Sequence, residues 1–167
     1  MNEPGGGGGA LKRITVLLAE DNKAVREGIR VLLEAEDDLN VVGEAKNGRQ
    51  AVKMAKRFRP AVVVMDISMP LLNGLEATRQ IRKDFPDIKV LILSAHGDAA
   101  YVEQAIALGA AGFLLKQTSS NDLPKAIREV QKGNVFFSPS IGKPSSVQSN
   151  TPSPERFYAT VTTALNA

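Results

Sequence analysis

Apolar runs alternate with helical patterns along the middle of the chain, from about residue 14 to residue 133. Short apolar runs are typical of buried parallel strands, and they predict strands near 14–19, 40–45, 61–65, 88–93 and 112–115. Apolar residues at helical spacing predict helices near 22–36, 48–58, 74–83, 98–108 and 120–132. Five strand–helix units in this order indicate an α/β fold, with a doubly wound parallel sheet, right-handed crossovers and helices on both faces.

Residues that favour helix ends stand at the predicted boundaries. Asp21 or Asn22 can cap the first helix, and residues 119–121 offer caps for the last one. Gly109 and Gly133 stand where helices end and where a residue with positive φ is favoured.

The two ends of the chain differ in composition from this alternating middle. Residues 1–11 are rich in glycine and predict a flexible lead. We assign residues 12–134 to one domain and residues 135–154, rich in Ser and Pro, to a linker. Residues 155–167 are predicted to be a short tail that could form one helix but cannot bury a core of its own. This tail is too short for a helix-turn-helix domain.

Composition and charge are those of an ordinary globular protein. Hydrophobic residues make up 43% of the chain and charged residues 23%, which supports a buried core. The net charge is +3, but residues 1–13 and residues 134–167 each carry one net positive charge, which leaves +1 for residues 14–133. We therefore interpret the basic residues of 53–59 as the solvated face of a helix rather than as a DNA-binding patch.

Several classes of protein are disfavoured by what the sequence lacks. The chain has no cysteine, which excludes disulfides and thiolate metal sites. It has no apolar stretch near the ~18 residues that cross a bilayer, and its amino terminus does not resemble a signal peptide. We therefore expect a cytoplasmic protein without a membrane segment.

Chemically active side chains follow four of the predicted strands, each at the carboxyl end. Glu20 and Asp21 follow the first strand, Asp66 the third, Ser94 the fourth and Lys116 the fifth. The carboxyl ends of parallel strands share one edge of the sheet, where ligands bind. Three carboxylates, a hydroxyl and an ammonium therefore converge there, a set suited to a metal ion and a phosphoryl group.

The residue types suit phosphoryl transfer to a carboxylate. Asp66 is the candidate nucleophile, because a carboxylate can accept a phosphoryl group as an acyl phosphate. Mg²⁺ offsets the repulsion between two anions and prefers oxygen ligands, which Glu20, Asp21 and the backbone carbonyl of Ser68 can supply. Lys116 is a compact cation for the phosphoryl oxygens.

Each of these residues also has a simpler explanation when it is taken alone. Glu20 and Asp21 can serve as a helix cap that complements the helix dipole. Asp66 and Ser94 can be turn residues, and Lys116 can be a surface charge. Their joint occurrence at the ends of different strands favours one shared site.

The motifs around these residues resemble the receiver domain of bacterial two-component response regulators. The resemblance runs from about Ile14 to Gly133 and is densest in Leu18–Asn22, Met65–Pro70, Asn73–Gly74, Leu93–Ala95 and Gly112–Lys116. The segments Val41–Gly48 and Gly112–Gln117 look most like the NarL/FixJ subfamily. The resemblance implies a flavodoxin-like (βα)5 fold whose five-stranded parallel sheet has the order 2-1-3-4-5.

The resemblance also implies a role for each site residue. Asp66 would be the phosphoacceptor, and Mg²⁺ would be bound by Asp66, Asp21, Glu20 (directly or through water) and the Ser68 carbonyl. Lys116 would contact the phosphoryl group.

Two further residues would carry the conformational response. Ser94 would move to hydrogen-bond the phosphoryl group, and Phe113 would turn inward with it. An ordinary core aromatic explains Phe113 equally well at this stage. His96, together with Ser68, would influence the lifetime of the phosphate, but an exposed loop histidine is an alternative.

The implied partners are a sensor histidine kinase and, after phosphorylation, a second copy of the chain. Full-length members of the subfamily carry a helix-turn-helix output domain, so nucleic acid would be bound only through a domain that this chain lacks. Two other functions stay open. A DNA-binding regulator would show a steep salt dependence, and a metal-dependent phosphohydrolase would turn over external phosphate esters continually. On the receiver interpretation the chain is not an enzyme.

Overall fold

The computed structural model describes residues 12–138, which form six β-strands and five α-helices. The strands are β1 (Ile14–Ala19), β2 (Leu39–Ala45), β3 (Val62–Asp66), β4 (Lys89–Ser94), β5 (Gly112–Leu115) and β6 (Phe136–Phe137). The helices are α1 (Lys23–Glu34), α2 (Gly48–Phe58), α3 (Gly74–Asp84), α4 (Ala99–Ala107) and α5 (Ser119–Gln131). The glycine-rich lead, most of the predicted linker and the predicted tail lie outside the described residues.

The strands form one parallel sheet with the order β2-β1-β3-β4-β5-β6. The predicted order 2-1-3-4-5 is thereby confirmed for the five longer strands, and their bounds match the predicted ranges to within one or two residues. The prediction of five strands is wrong by one, because Phe136–Phe137 adds an edge strand beside β5. A two-residue strand is too short to show a period of its own, so periodicity could not predict it.

The sheet carries helices on both faces, as predicted. Residues that alternate along each strand contribute to two separate hydrophobic clusters, so that Leu17 faces one layer and Leu18 the other. The first cluster packs against α2, α3 and α4, and the second against α1 and α5. Each fully buried Leu, Ile or Val side chain contributes roughly 1.5–3 kcal/mol. The polar residues at the strand ends therefore lie on a sheet that is packed with helices on both faces.

Three helices begin with an asparagine that caps the first turn. Asn22, Asn47 and Asn73 each accept a hydrogen bond from the backbone N–H three residues further on, at 3.0, 2.8 and 2.9 Å respectively. The prediction of Asn22 as a cap is confirmed. These caps fix where α1, α2 and α3 leave the carboxyl edge of the sheet.

The start of α5 differs from the prediction. The caps predicted at 119–121 are wrong, because these residues are inside the helix and its capping position is Thr118, which makes no side-chain capping bond. A 3-10 turn, Lys116–Thr118, runs directly from β5 into α5. Gly109 and Gly133 have φ of +99°, which confirms the two predicted helix ends.

Two further observations bear on the predictions. None of the helices formed by residues 12–138 is long and apolar enough to cross a membrane. Every peptide bond in the described part of the chain is trans, including the one between Lys116 and Gln117.

Candidate functional site

Strand register brings the predicted site residues to one edge of the sheet. Ala19 pairs with Met65. The next residues along these two strands are Glu20 and Asp66, so the two carboxylates lie side by side. Asp66 is paired with Leu93, and Ser94 with Leu115, the residue before Lys116. The convergence inferred from the order of the strand ends is therefore present in the fold.

Three carboxylates form an acidic trio at this edge, defined as Glu20, Asp21 and Asp66. One oxygen from each lies within 4.8 Å of the others. Glu20 and Asp66 are buried, with exposed fractions of 1% and 4%, whereas Asp21 is exposed. Three carboxylates this close repel one another, and an oxygen-seeking cation such as Mg²⁺ relieves that repulsion. The donor set fits a hard divalent cation that is reached from solvent past Asp21.

Lys116 bridges the two buried carboxylates. Its Nζ lies 2.6 Å from Oε1 of Glu20 and 3.3 Å from Oδ1 of Asp66. The approach to Glu20 is an ion pair whose alignment falls short of a good hydrogen bond. The ammonium therefore stands at the position where the oxygens of a phosphoryl group on Asp66 would need a positive charge.

The acid–base properties of the site follow from burial and from these contacts. Burial and the adjacent Glu20 carboxylate raise the pKa of Asp66 to about 7, against the opposing effect of Lys116. Burial also acts to raise the pKa of Glu20, but contact with Lys116 and the hydrogen bond from the Asn22 N–H outweigh it and lower that pKa. The pKa of Lys116 is raised by the two carboxylates in spite of burial. A cation held by the acidic trio favours the ionised form of Asp66.

Ser94 and Phe113 occupy the neighbouring strands. Ser94 is 5% exposed, and its Oγ accepts a hydrogen bond of 3.1 Å from the backbone N–H of His96. Phe113 pairs with Ile92 and is fully buried in the cluster that packs on α2, α3 and α4. The side chains of His96 and Ser68 are exposed beyond the ends of β4 and β3. The structure therefore gathers the acidic trio and Lys116, with Ser94 and Phe113 buried on the neighbouring strands and Ser68 and His96 exposed beyond the strand ends.

The loop after Asp66 is held by a close approach to α3. The N–H of Gly74 donates to the carbonyl of Ile67 at 2.8 Å, and the N–H of Met69 donates to the same oxygen at 3.1 Å. A Cβ atom at Gly74 would lie 1.9 Å from the carbonyl oxygen of Asp66. Only glycine fits at this position without a shift of backbone, so Gly74 fixes the backbone of Asp66.

Arg26 is a residue of the site that sequence reasoning missed. Its Nη1 donates a hydrogen bond of 2.8 Å to the backbone carbonyl of Glu20, and its Nε lies 3.4 Å from Oε1 of Glu44. The sequence did hold a signal, because Arg26 shares the buried stripe of α1 with Ile29 and Leu33. A charged residue in such a stripe has a buried partner.

A flavodoxin-like sheet with three carboxylates and a lysine at its carboxyl edge is the architecture of a receiver. Residues 16–128 match the family model of the response regulator receiver domain. The chain belongs to this family, and it is thus a domain of two-component signalling.

Known proteins agree with this assignment over the same region. The chain is 36% identical over 129 residues to the transcriptional regulatory protein DegU of Brevibacillus brevis, a match that covers 77% of this chain and 55% of DegU. It superimposes with a TM-score of 0.71 on the receiver domain of a putative NarL regulator from Mycobacterium tuberculosis, at 35% identity, covering 74% of this chain and 99% of that one. A LuxR-family regulator from Aurantimonas gives a TM-score of 0.75 at 33% identity, covering 77% and 92%.

The match covers only part of each curated relative. The chain spans little more than half the length of the curated relatives it matches, with 55% of DegU and 61% of the response regulator VraR of Staphylococcus aureus covered. The matched region is the receiver itself.

Proposed function

We propose that this chain accepts a phosphoryl group on Asp66 from the phosphohistidine of a sensor histidine kinase. The observation that carries the proposal is the setting of Asp66. Its buried carboxylate lies with those of Glu20 and Asp21 in one cluster, and the ammonium of Lys116 is 3.3 Å away. A carboxylate in this setting is a nucleophile supplied with both a cation site and a fixed positive charge.

The transfer forms one bond and breaks one. An Oδ of Asp66 attacks the phosphorus atom, and the P–N bond to the kinase imidazole breaks with its electron pair left on nitrogen. Glu20, Asp21, Asp66 and the Ser68 carbonyl would hold Mg²⁺, which supplies charge neutralisation for the phosphoryl oxygens. Lys116 lies where it can bind one of those oxygens. The product is an acyl phosphate that is lost slowly to water, so the chain acts as a switch rather than as an enzyme with turnover.

Ser94 and Phe113 are the proposed readout of this switch. The Ser94 Oγ accepts the His96 N–H, and its own proton can be donated to a phosphoryl oxygen at Asp66. The Phe113 ring is fully buried in the structure, and its packing is proposed to change when Ser94 shifts. His96 and Ser68 are exposed beside this edge, where they can affect access of water to the phosphate.

Labelling by a small phosphodonor tests the assignment of Asp66. We expect intact-mass spectrometry to show addition of one phosphoryl group to the wild type in the presence of Mg²⁺, and none after chelation. Asp66→Asn should abolish the addition because it removes the nucleophile. Asp37→Asn, which changes an exposed carboxylate, is the matched control and should be labelled like the wild type. Equal labelling of Asp66→Asn would remove Asp66 from this role, and continual turnover of phosphate esters would favour a phosphohydrolase.

The same proposal extends to location and partners. The proposed setting is the cytoplasm, where the kinase and the receiver meet. A phosphorylated receiver is proposed to pair with a second copy of itself. Any contact with DNA, as the regulatory names of the relatives imply, is assigned to an output domain beyond the matched region.

A further inference from the structure

We propose that Arg26 is a positioning residue for the cation site, which it serves by fixing the peptide bond between Glu20 and Asp21. The proposal rests on the proposed function in one respect, since it takes the acidic trio as the place where Mg²⁺ binds. It assigns no contact between Arg26 and the cation or the phosphoryl group.

Every polar group of Glu20 is held in the structure. Its backbone N–H donates to the carbonyl of Ala45 at 3.0 Å, and its carbonyl accepts from Nη1 of Arg26 at 2.8 Å. Its Oε2 accepts from the N–H of Asn22 at 3.1 Å, and its Oε1 is paired with Lys116. Among these four contacts, that of Arg26 holds the carbonyl oxygen.

This carbonyl belongs to the peptide unit that joins Glu20 to Asp21. Because the unit is planar, a rotation that moves the carbonyl oxygen also turns the N–H and Cα of Asp21. Glu20 is buried on the sheet, whereas Asp21 is exposed. The hydrogen bond from Arg26 therefore orients the exposed carboxylate of the trio through the backbone.

Arg26 itself is held from two sides. Its exposed fraction is 7%, and a guanidinium withdrawn from water is costly unless it is paired and hydrogen-bonded. Its Nε lies 3.4 Å from Oε1 of Glu44 on β2. The planar guanidinium reaches a carboxylate and a carbonyl at once, which a lysine ammonium does not do in the same geometry. Arg26 thus ties α1, β2 and the turn after β1 together.

A purely structural role for Arg26 predicts a different result from a positioning role. If Arg26 only anchors α1 to β2, its removal lowers stability and leaves the affinity for Mg²⁺ unchanged. Arg30 is the matched control, because it is on the same helix and also lies near Glu44, at 3.7 Å. Its side chain is 37% exposed, and it forms ion pairs with Glu34 and Glu44 rather than a contact with Glu20.

The test is the thermal stability of the full chain at rising Mg²⁺, without any phosphodonor. Stabilisation of the native state by Mg²⁺ grows as ln(1 + c/Kd), where c is the Mg²⁺ concentration, so the Mg²⁺ concentration at which the Tm begins to rise reports the Kd. We expect Arg26→Met to raise that concentration about tenfold, as the loss of a residue that orients metal ligands does. Arg30→Met should leave it at the wild-type value, whatever either substitution does to the Tm without Mg²⁺.

Arg26→Lys guards against a variant that does not fold, because it keeps the charge and removes the double contact. It should also require more Mg²⁺, both for stabilisation and for labelling of Asp66, and labelling should recover at saturating Mg²⁺. If the Tm of both Arg26 variants began to rise at the same Mg²⁺ concentration as that of Arg30→Met, the positioning role would be overturned. A wild type that Mg²⁺ stabilises but no phosphodonor labels would overturn the proposed function and leave the role of Arg26 standing. A wild type that Mg²⁺ does not stabilise would overturn both.

Discussion

Asp66 is a carboxylate placed where an anion is costly, and this cost defines the site. Burial and Glu20 raise its pKa to about 7, so the ionised form of Asp66, the proposed nucleophile, depends on positive charge nearby. Lys116 supplies part of that charge at 3.3 Å, and a cation held by the acidic trio would supply more. The same carboxylates that repel one another therefore favour a cation between them.

Gly74 gives a prediction at the scale of a single residue. Gly74→Ala should lower the free energy of unfolding by about 1–3 kcal/mol, because its Cβ would overlap the carbonyl oxygen of Asp66. It should also slow the labelling of Asp66, whose backbone must move. Urea denaturation and intact-mass spectrometry measure the two effects.

Gly28→Ala is the matched control for this substitution. A Cβ at Gly28 meets nothing within 4 Å, and alanine in a helix interior is favoured over glycine by roughly 0.5–1 kcal/mol. The control should therefore be as stable as the wild type or more so. A stable Gly74→Ala protein that is labelled at the wild-type rate would contradict the close approach.

At the amino-terminal end of β2, ion pairs join α5 to the turn that precedes this strand. Arg128 donates to both carboxylate oxygens of Asp38, at 2.8 and 2.9 Å, and also lies 3.3 Å from Glu36. The bidentate geometry is the strong form of such a pair. The hydrogen bonds from Arg128 lower the pKa of Asp38 against the effect of burial.

This pair predicts a pH dependence of stability. Because the folded pKa of Asp38 is lower than its unfolded value, the stabilisation is fully present above the unfolded pKa and is lost as the pH falls through the folded one. The pair is partly exposed, so we expect about 1 kcal/mol at most. Asp38→Asn should lower the urea midpoint at about pH 6 and have little further effect at about pH 3. An equal loss at both pH values would contradict the ionic contribution.

The edge strand β6 and the residue that follows it pack beside β5 and the turn after Lys116. The N–H of Ser138 donates to the carbonyl of Phe113, and its Oγ lies 3.0 Å from Oγ1 of Thr118. Residues 136–138, which the sequence assigned to the linker, are thus folded against β5 and the turn after Lys116. Ser138 is 2% exposed, so this part of the chain belongs to the sheet edge.

For the whole molecule, we predict that phosphorylation shifts the chain from monomer to dimer. A new charge at Asp66 changes the carboxyl edge of the sheet, and the helices that leave this edge carry the change to the surface. Light scattering with and without beryllofluoride, a mimic of the phosphoryl group, measures the mass. Asp66→Asn is the control and should stay monomeric under both conditions. A mass that is the same for the wild type with and without the mimic would contradict the prediction.

By itself, the sequence determined the apolar pattern of each strand and helix and the order of the polar residues at the strand ends. Apolar periodicity decides which face of an element is buried, so the strands and helices of residues 14–133 could be predicted from it, whereas the sheet order followed from the resemblance to receiver domains. The order of Glu20, Asp66, Ser94 and Lys116 at successive strand ends then predicted where they converge.

What only the tertiary structure decided depends on contacts between residues far apart in the chain. The bond of Arg26 to Glu20, the approach of Gly74 to Asp66, the ion pairs of Lys116 and the edge strand Phe136–Phe137 all depend on register and side-chain geometry. Periodicity records that a residue is buried but not against which atom. A distance of 2.8 or 3.3 Å is fixed only when the sheet is assembled, and the chemistry of the site depends on those distances.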